Sequence, residues 1–216
     1  MRYWIAILAA LLVCGVEPAS MAQSDKPVAV LGLGKNYREI AQQPVANPDK
    51  IEVIDFFFYG CPYCNELRPY LERWRANLPP DVEFRRMPVI RYDTWEPLAR
   101  TYFTLEALDA VERLHQEVYK GYHDEELHMS TPEVMADWAQ RHGLNRDEWL
   151  RIYRSDAVTQ KVAAARKATK DYDISGTPSM VIAGRYLTSS GLAGDVKLVT
   201  PVADLLIEMA RKRRSQ

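Results

Sequence analysis

The chain has 216 residues, of which 47% are hydrophobic and 26% are charged, and its formal net charge is −1 at pH 7. This balance is typical of an ordinary globular protein and gives no indication of nucleic-acid binding, which usually requires an excess of basic residues. The basic tail Arg211–Arg214 ends a predicted helix. Cations there complement the helix dipole, so we interpret the tail as a helix end.

The first 22 residues have the pattern of a secretory signal peptide. Arg2 provides a positive start, Trp4–Val13 is a short apolar run, and Ser20–Ala22 provides small residues before a cleavage site at Gln23. The apolar run is too short to span a bilayer. A lipoprotein site at Cys14 is disfavoured because the residue before it is not small. Cleavage leaves a single cysteine pair in the mature chain.

A buried strand followed by a Cys-x-x-Cys motif is the most informative feature of the mature chain. The segment Ile51–Tyr59 is short, apolar and aromatic, which predicts a strand. The motif Cys61-Pro62-Tyr63-Cys64 comes next, and apolar residues at helical spacing after it predict a helix to about residue 77. Proline suits the first helical turn. The first cysteine therefore lies at a helix N-terminus, where backbone N–H groups and the helix dipole favour a thiolate.

A structural disulfide and half of a zinc site are the other common uses of such a pair. A Cys61–Cys64 bridge closes a very short loop, and its stabilisation is about 2 kcal/mol in the chain-entropy model. A zinc site needs four ligands, and the sequence has neither a second cysteine pair in the mature chain nor a close histidine pair. We therefore interpret the motif as a redox site and predict no metal.

Helical patterning occupies the middle of the chain. Strands are predicted at about 36–40 and at 82–89, and the pattern is helical from 94 to about 173. One helix start is predicted either as a capping box of Ser130 and Glu133 or with Thr131 as the N-cap. Further starts are predicted at Asn145 and at Ser155, with Gly143 as a stop between helices.

The pattern returns to strands near the C-terminus. Strands are predicted at 179–182 and 185–187 around an Ala183-Gly184 turn, and a last helix is predicted to begin at Thr200-Pro201. The order is therefore strand, helix and strand, then a helical block, then strand, strand and helix. A helical insertion into a small α/β sheet fits this order better than two consecutive domains.

The chain resembles the thioredoxin superfamily and, within it, the DsbA family of exported thiol–disulfide oxidoreductases. The resemblance rests on the Phe56–Cys64 segment, the Ile174–Ser179 segment and the helical stretch between them, and it spans essentially the whole mature chain. It implies a thioredoxin-like α/β fold formed by residues 23–93 and 174–216, with an inserted all-helical domain at 94–173.

The resemblance also implies roles for individual residues. Cys61 would be the exposed sulfur that exchanges with substrate, and Cys64 the buried sulfur that resolves the mixed disulfide. Thr177-Pro178 matches the cis-proline position of the family, where the residue before the proline pairs its backbone with the substrate chain. Asp55 matches a buried acidic position that moves a proton to or from Cys64, and an ordinary solvent-facing carboxylate is the alternative.

Pro62 and Tyr63 are expected to tune the redox pair. Many members have Pro-His between the cysteines, and a phenol lacks the positive charge that a histidine places beside a thiolate. Cys-Pro-Tyr-Cys also resembles the motif of glutaredoxins, which run in the reducing direction.

The resemblance implies an enzyme that donates its Cys61–Cys64 disulfide to folding exported proteins and needs no other cofactor. It implies a periplasmic monomer that is re-oxidised by a quinone-linked, DsbB-like protein of the inner membrane. Two alternatives remain open: an exported disulfide reductase or isomerase, and a non-enzymatic, chaperone-like binding module.

Overall fold

A computed structural model describes residues 35–129 and 131–215. The predicted signal peptide, with Cys14, lies outside the described residues. The strands and helices are, in chain order, β1 (Arg38–Glu39), β2 (Ile51–Phe57), α1 (Pro62–Arg75), β3 (Val82–Pro88), α2 (Glu96–Ala107), α3 (Val111–His123), α4 (Pro132–Arg141), α5 (Arg146–Tyr153), α6 (Asp156–Asp171), β4 (Ser179–Ile182), β5 (Tyr186–Ser189), α7 (Ser190–Ala193) and α8 (Val199–Arg214). Short 3-10 helices at Asp93–Trp95 and Val196–Leu198 directly precede α2 and α8.

The five strands form one sheet in the order β1-β5-β4-β2-β3. Strand β2 is parallel to β3 and antiparallel to β4, and all seven of its residues are buried. The predicted strand Ile51–Tyr59 therefore exists but ends at Phe57, because the next residues leave the sheet and turn into α1. The carboxyl end of this fully buried strand thus leads directly to the cysteine pair.

The predicted helical stretch lies between β3 and β4 as helices α2–α6. Side chains of Thr131, Asn145 and Ser155 accept hydrogen bonds from backbone N–H groups three residues later and cap α4, α5 and α6. Thr131 is therefore the N-cap of α4 rather than Ser130, which lies outside the described residues. Gly143 ends α4 with a φ of +80°. The division of the chain into two domains stays a prediction.

The hairpin between β4 and β5 turns at Ala183-Gly184, as predicted, and both residues have positive φ angles. A Cβ atom on Gly184 would lie 2.4 Å from the carbonyl oxygen of Gln43, so this turn also needs glycine for its close packing. Strand β5 begins at Tyr186, one residue later than predicted, and continues to Ser189. The short helix α7 follows and was not predicted, because one helical turn shows no apolar periodicity.

Two buried clusters meet at β2 and α1. Phe57, Tyr59 and Cys64 belong to the core formed with helices α2–α6, whereas Val53 and Leu67 belong to the core formed with α8. The start of α1 is therefore held between the two cores. Among the residues that the structure describes, no helix is both long and apolar enough to cross a bilayer.

Candidate active site

Cys61 is the N-cap residue of α1, and Pro62 is the first residue of that helix. The side chain of Cys61 is partly exposed, whereas that of Cys64 is 4% exposed, and both are free thiols. One turn of helix separates them, so the two sulfurs lie on the same side of the helix start. An incoming thiol can reach Cys61 but not Cys64.

The pKa of the Cys61 thiol is lowered to about 6. The largest cause is a hydrogen bond from the side chain of Cys64, which outweighs the opposing effect of partial burial. A hydrogen bond from the side chain of Thr177 and the backbone N–H groups of Cys64 and Tyr63 lower the pKa further, although Cys61 makes no regular capping hydrogen bond. The expected thiolate is therefore supported, but its main partner is the second cysteine rather than the helix end.

We expect the thiolate absorbance of the reduced protein to titrate with a pKa of about 6 for Cys61. Replacing Cys64 with Ala removes the main hydrogen-bond donor and raises the Cys61 pKa. Cys64→Ser keeps a donor and is the matched control, with a smaller change. Ultraviolet titration of the three proteins measures this directly. An equal Cys61 pKa in all three would mean that the helix end alone sets it.

Cys64 has the opposite electrostatic environment. Burial raises the pKa of its thiol well above the usual range, and the neighbouring Cys61 raises it further. The reduced pair therefore shares one proton unequally, with the charge on the exposed sulfur and the proton on the buried one.

Asp55 lies on β2 below the pair and is 2% exposed, so the solvent-facing alternative is wrong. Burial raises the pKa of its carboxyl to about 7; Arg86 opposes this effect and Glu72 adds to it. Its Oδ1 atom has no hydrogen-bond partner among the described residues. A buried carboxyl that titrates near neutral pH can both donate and accept a proton.

Sequence reasoning missed the charged residues around Asp55. The parallel register of β2 and β3 places Arg86 opposite Asp55, and Arg86 donates hydrogen bonds to Glu72 at 2.5 Å and to Glu112 at 3.5 Å. No local pattern predicts this arrangement, because the register of a parallel pair depends on packing across the whole sheet.

A small cavity of about 10 Å³ brings three of the predicted site residues together. Asp55, Cys64 and Pro178 all line it, as does His115, which burial keeps neutral by lowering its pKa well below the usual range. The Nδ1 atom of His115 lies 2.8 Å from the hydroxyl of Tyr59. Asp55 and Cys64 thus line the same small cavity.

The Thr177-Pro178 peptide bond is cis and lies beside the cysteine pair. The Cys61 thiol donates a hydrogen bond of 3.2 Å to the carbonyl oxygen of Thr177. Arg91 donates a hydrogen bond to the carbonyl of Ser175, and the Ser179 hydroxyl donates one to the carbonyl of Gly176 at 2.8 Å. These two bonds fix the backbone segment that leads to Pro178. The backbone before Pro178 therefore faces the reactive sulfur.

Tyr63 is 59% exposed, so its phenol is directed largely towards solvent. Close by in the chain, Phe58 stacks on Trp95 with ring centroids 3.9 Å apart. Tyr92 lies edge-on to Trp95 and is itself 56% exposed. Phe58, Trp95 and Tyr92 thus form one aromatic cluster, and the 92–95 segment of the sequence contains no recognisable motif.

The chain is similar to known proteins of one family. Residues 92–198 match the family model of the DSBA-like thioredoxin domain. The chain is 36% identical to the thiol:disulfide interchange protein DsbA of Azotobacter vinelandii, over 95% of each chain. It is 34% identical to DsbA of Pseudomonas aeruginosa, over 95% of this chain and 96% of the relative.

Solved structures show the same fold. The crystal structure of Pseudomonas aeruginosa DsbA superposes with a TM-score of 0.81 at 34% identity and covers 85% of this chain and 96% of that chain. DsbA from Xylella fastidiosa superposes with a TM-score of 0.79 at 27% identity and covers 84% of this chain and 98% of that chain. The expected thioredoxin-like fold is therefore confirmed. The chain belongs to the DsbA family and is a thiol:disulfide oxidoreductase.

Proposed function

We propose that the protein works as an oxidase, donating the Cys61–Cys64 disulfide to cysteines of folding proteins. The observation that carries this direction is the unequal pair of thiols. A pKa of about 6 for Cys61 stabilises the reduced enzyme as a thiolate near neutral pH. A reduced form that is stabilised in this way makes the disulfide a better electron acceptor.

In the first step, a substrate thiolate attacks Sγ of Cys61 in the oxidised enzyme. A bond forms between the substrate sulfur and Cys61, and the bond between Cys61 and Cys64 breaks. The departing Cys64 sulfur is in a buried position that strongly disfavours its charge. We assign Asp55 as the acid that protonates it, because the two residues line the same cavity.

In the second step, another thiolate of the substrate attacks the substrate sulfur of the mixed disulfide. A substrate disulfide forms, and Cys61 leaves as a thiolate. The two electrons of the substrate thiols now reside in the reduced enzyme pair. A low pKa for Cys61 speeds its departure, because a weaker base is a better leaving group. The backbone of Thr177 beside the cis proline is the proposed docking point for the substrate chain.

The proposal extends to the location and partners of the enzyme. We propose export by the signal peptide at residues 1–22 and action as a monomer in the periplasm. The helical stretch 94–173 would form a domain inserted between residues 23–93 and 174–216. A quinone-linked, DsbB-like protein of the inner membrane would re-oxidise the pair. An exported protein with one adjacent cysteine pair suits an oxidising compartment.

Equilibration of the Cys61–Cys64 couple with glutathione tests whether the enzyme oxidises or reduces its substrates. We expect a couple more oxidising than glutathione, and a reduced protein more stable than the oxidised one by a few kcal/mol in guanidinium melts, since 30 mV corresponds to about 1.4 kcal/mol. The difference in stability should shrink as the pH falls from about 9, the usual pKa of a thiol, to about 6, because the lowered pKa of Cys61 stabilises the folded protein fully above this interval and not below it.

A more stable oxidised form would instead favour the exported reductase or isomerase. Tyr63 is the observation that favours a reductase or isomerase. Its exposed phenol places no positive charge beside Cys61 to stabilise the thiolate of the reduced enzyme. A chaperone-like module would require that binding and refolding activity survive the loss of both cysteines.

A further inference from the structure

The free edge of β3 is a feature that thiol exchange does not use. Strand β3 is the last strand of the sheet on its side and has seven residues, about 20 Å of extended chain. Long free edges are usually covered or shortened, because their unpaired backbone groups bind other strands. Here a slot with a volume of about 510 Å³ lies in front of the edge.

The sheet register determines which backbone groups face the slot. Ile51 donates its N–H to the carbonyl of Asp81, and Val89 donates to the carbonyl of Phe57. In a parallel pair with this register, alternate residues of β3 bond to β2. The N–H and C=O groups of Phe84 and Arg86 therefore point outwards, and none of the described residues forms a hydrogen bond with these backbone groups.

The walls of the slot can accept a polypeptide. Phe84 and Met87 from β3, Phe103 from α2 and Val111 from α3 provide apolar surface, and Ala164 from α6 also lines the slot. The charges of the walls are largely paired with each other.

Arg75 and Arg86 bond to Glu72 and Glu112, and Lys161 bonds to Glu106. Because these basic side chains are paired with acidic ones, the slot does not strongly attract a polyanion. An extended chain, by contrast, offers N–H and C=O groups at the spacing of two residues that Phe84 and Arg86 require.

We propose that the slot binds an extended, unfolded stretch of a substrate polypeptide as an added strand on β3. This inference rests on the proposed function, in which substrates are unfolded chains, and it deepens that function. The added strand would hold a folding chain on the enzyme independently of its cysteines. Binding at a second point would favour long unfolded chains over short dithiols.

Amide hydrogen exchange tests the added strand directly. The probe is α-lactalbumin that has been reduced and carboxymethylated, so that it is unfolded and has no reactive thiol. We expect saturating probe to slow exchange of the Phe84 and Arg86 amides at least about tenfold, as new backbone hydrogen bonds do. The Arg85 amide, which already bonds to β2, should not change. Unchanged exchange at Phe84 and Arg86 would overturn the proposal.

A bulky side chain that blocks the slot provides a second test. Ala164 is exposed and lines the slot, whereas its neighbour Ala163 is exposed on the same helix but does not line it. Ala164→Trp should weaken probe binding about tenfold, as the loss of one or two net hydrogen bonds would. Ala163→Trp should leave it unchanged. Equal binding by both variants would contradict the proposal.

Two further outcomes separate this inference from others. Ala164→Trp should oxidise a short dithiol peptide at the wild-type rate and an unfolded protein more slowly. A wild-type enzyme that fails to oxidise the short peptide would overturn the proposed function. Equal slowing of both substrates by Ala164→Trp would overturn the proposal that the slot binds substrate. Protection of the Phe84 amide in concentrated protein without probe would indicate pairing between two copies and would also overturn it.

Discussion

We expect replacement of Cys61 with Ala to abolish exchange with substrates, and replacement of Cys64 with Ala to yield an enzyme that accumulates mixed disulfides. The rate of substrate oxidation should fall at least about a thousandfold in the Cys61 variant, as in other enzymes that lose their nucleophile. Cys64 cannot substitute, because it is 4% exposed and burial raises the pKa of its thiol. Oxidation of a fluorescent dithiol peptide, with non-reducing gels for mixed disulfides, measures both effects.

The Cys64→Ala variant tests the order of the two cysteines. Without Cys64, nothing inside the enzyme can resolve the bond between Cys61 and a substrate, so the adduct persists until an external thiol releases it. The double variant without either cysteine is the control for non-covalent binding. Adducts that form on Cys64 in the Cys61→Ala variant would invert the assignment of attacking and resolving sulfur.

Local sequence was sufficient to predict the strand before the cysteine motif, the start of the helix after it, and several helix caps and turns. The aromatic run of β2 predicted a buried strand, and Pro62 predicted the first residue of α1, because both depend on neighbours within a few residues. Capping by Asn145 and Ser155 was predicted for the same reason. The Ala183-Gly184 turn follows this rule as well, since its positive φ angles arise within the hairpin.

Interactions between segments that are distant in the sequence could not be predicted from local patterns. Arg86 lies opposite Asp55 only because β2 and β3 pair in one particular register. The main partner of the Cys61 thiolate is Cys64, and sequence alone favoured the helix end, because the direction of a thiol hydrogen bond is not encoded in the spacing of the motif. The burial of Asp55 results from packing on both sides of the sheet.

We expect replacement of Asp55 with Asn to slow oxidation of substrate thiols about a hundredfold, the lower end for loss of a positioned acid. Asparagine keeps the shape of the side chain but cannot protonate the departing Cys64 sulfur. The wild-type rate of this step should fall above pH about 7, where Asp55 ionises, and the variant should lose that dependence. Stopped-flow kinetics from pH 5 to pH 9, about two units on either side of that pKa, measure the step.

Asp204 provides the matched control for this substitution. Partial burial also raises the pKa of its carboxyl. Asp204 lies on α8, remote from the cysteines in the chain, and accepts a hydrogen bond of 2.6 Å from Trp74. Asp204→Asn should leave the rate and its pH dependence unchanged. If both variants lose rate equally, the effect arises from general loss of packing rather than from proton transfer.

Stability gives an independent measure of the same carboxyl. Asp55 titrates at about 7 in the folded protein, whereas aspartate in an unfolded chain titrates at about 3.9. The folded state therefore binds more protons between these values, and the free energy of unfolding falls as the pH rises through this window. The total loss is up to about 4 kcal/mol for a shift of about three units.

The Asp55→Asn variant has no ionisable group at this position, so it should gain stability over the wild type as the pH rises from about 4 to about 8, across that window. Arg86 is not left without a partner, because it still bonds to Glu72 and Glu112. Guanidinium melts of the reduced proteins at the two pH values measure the change. Parallel pH dependences in wild type and variant would show that Asp55 is already ionised in the folded protein, and the proton transfer to Cys64 would then need another donor.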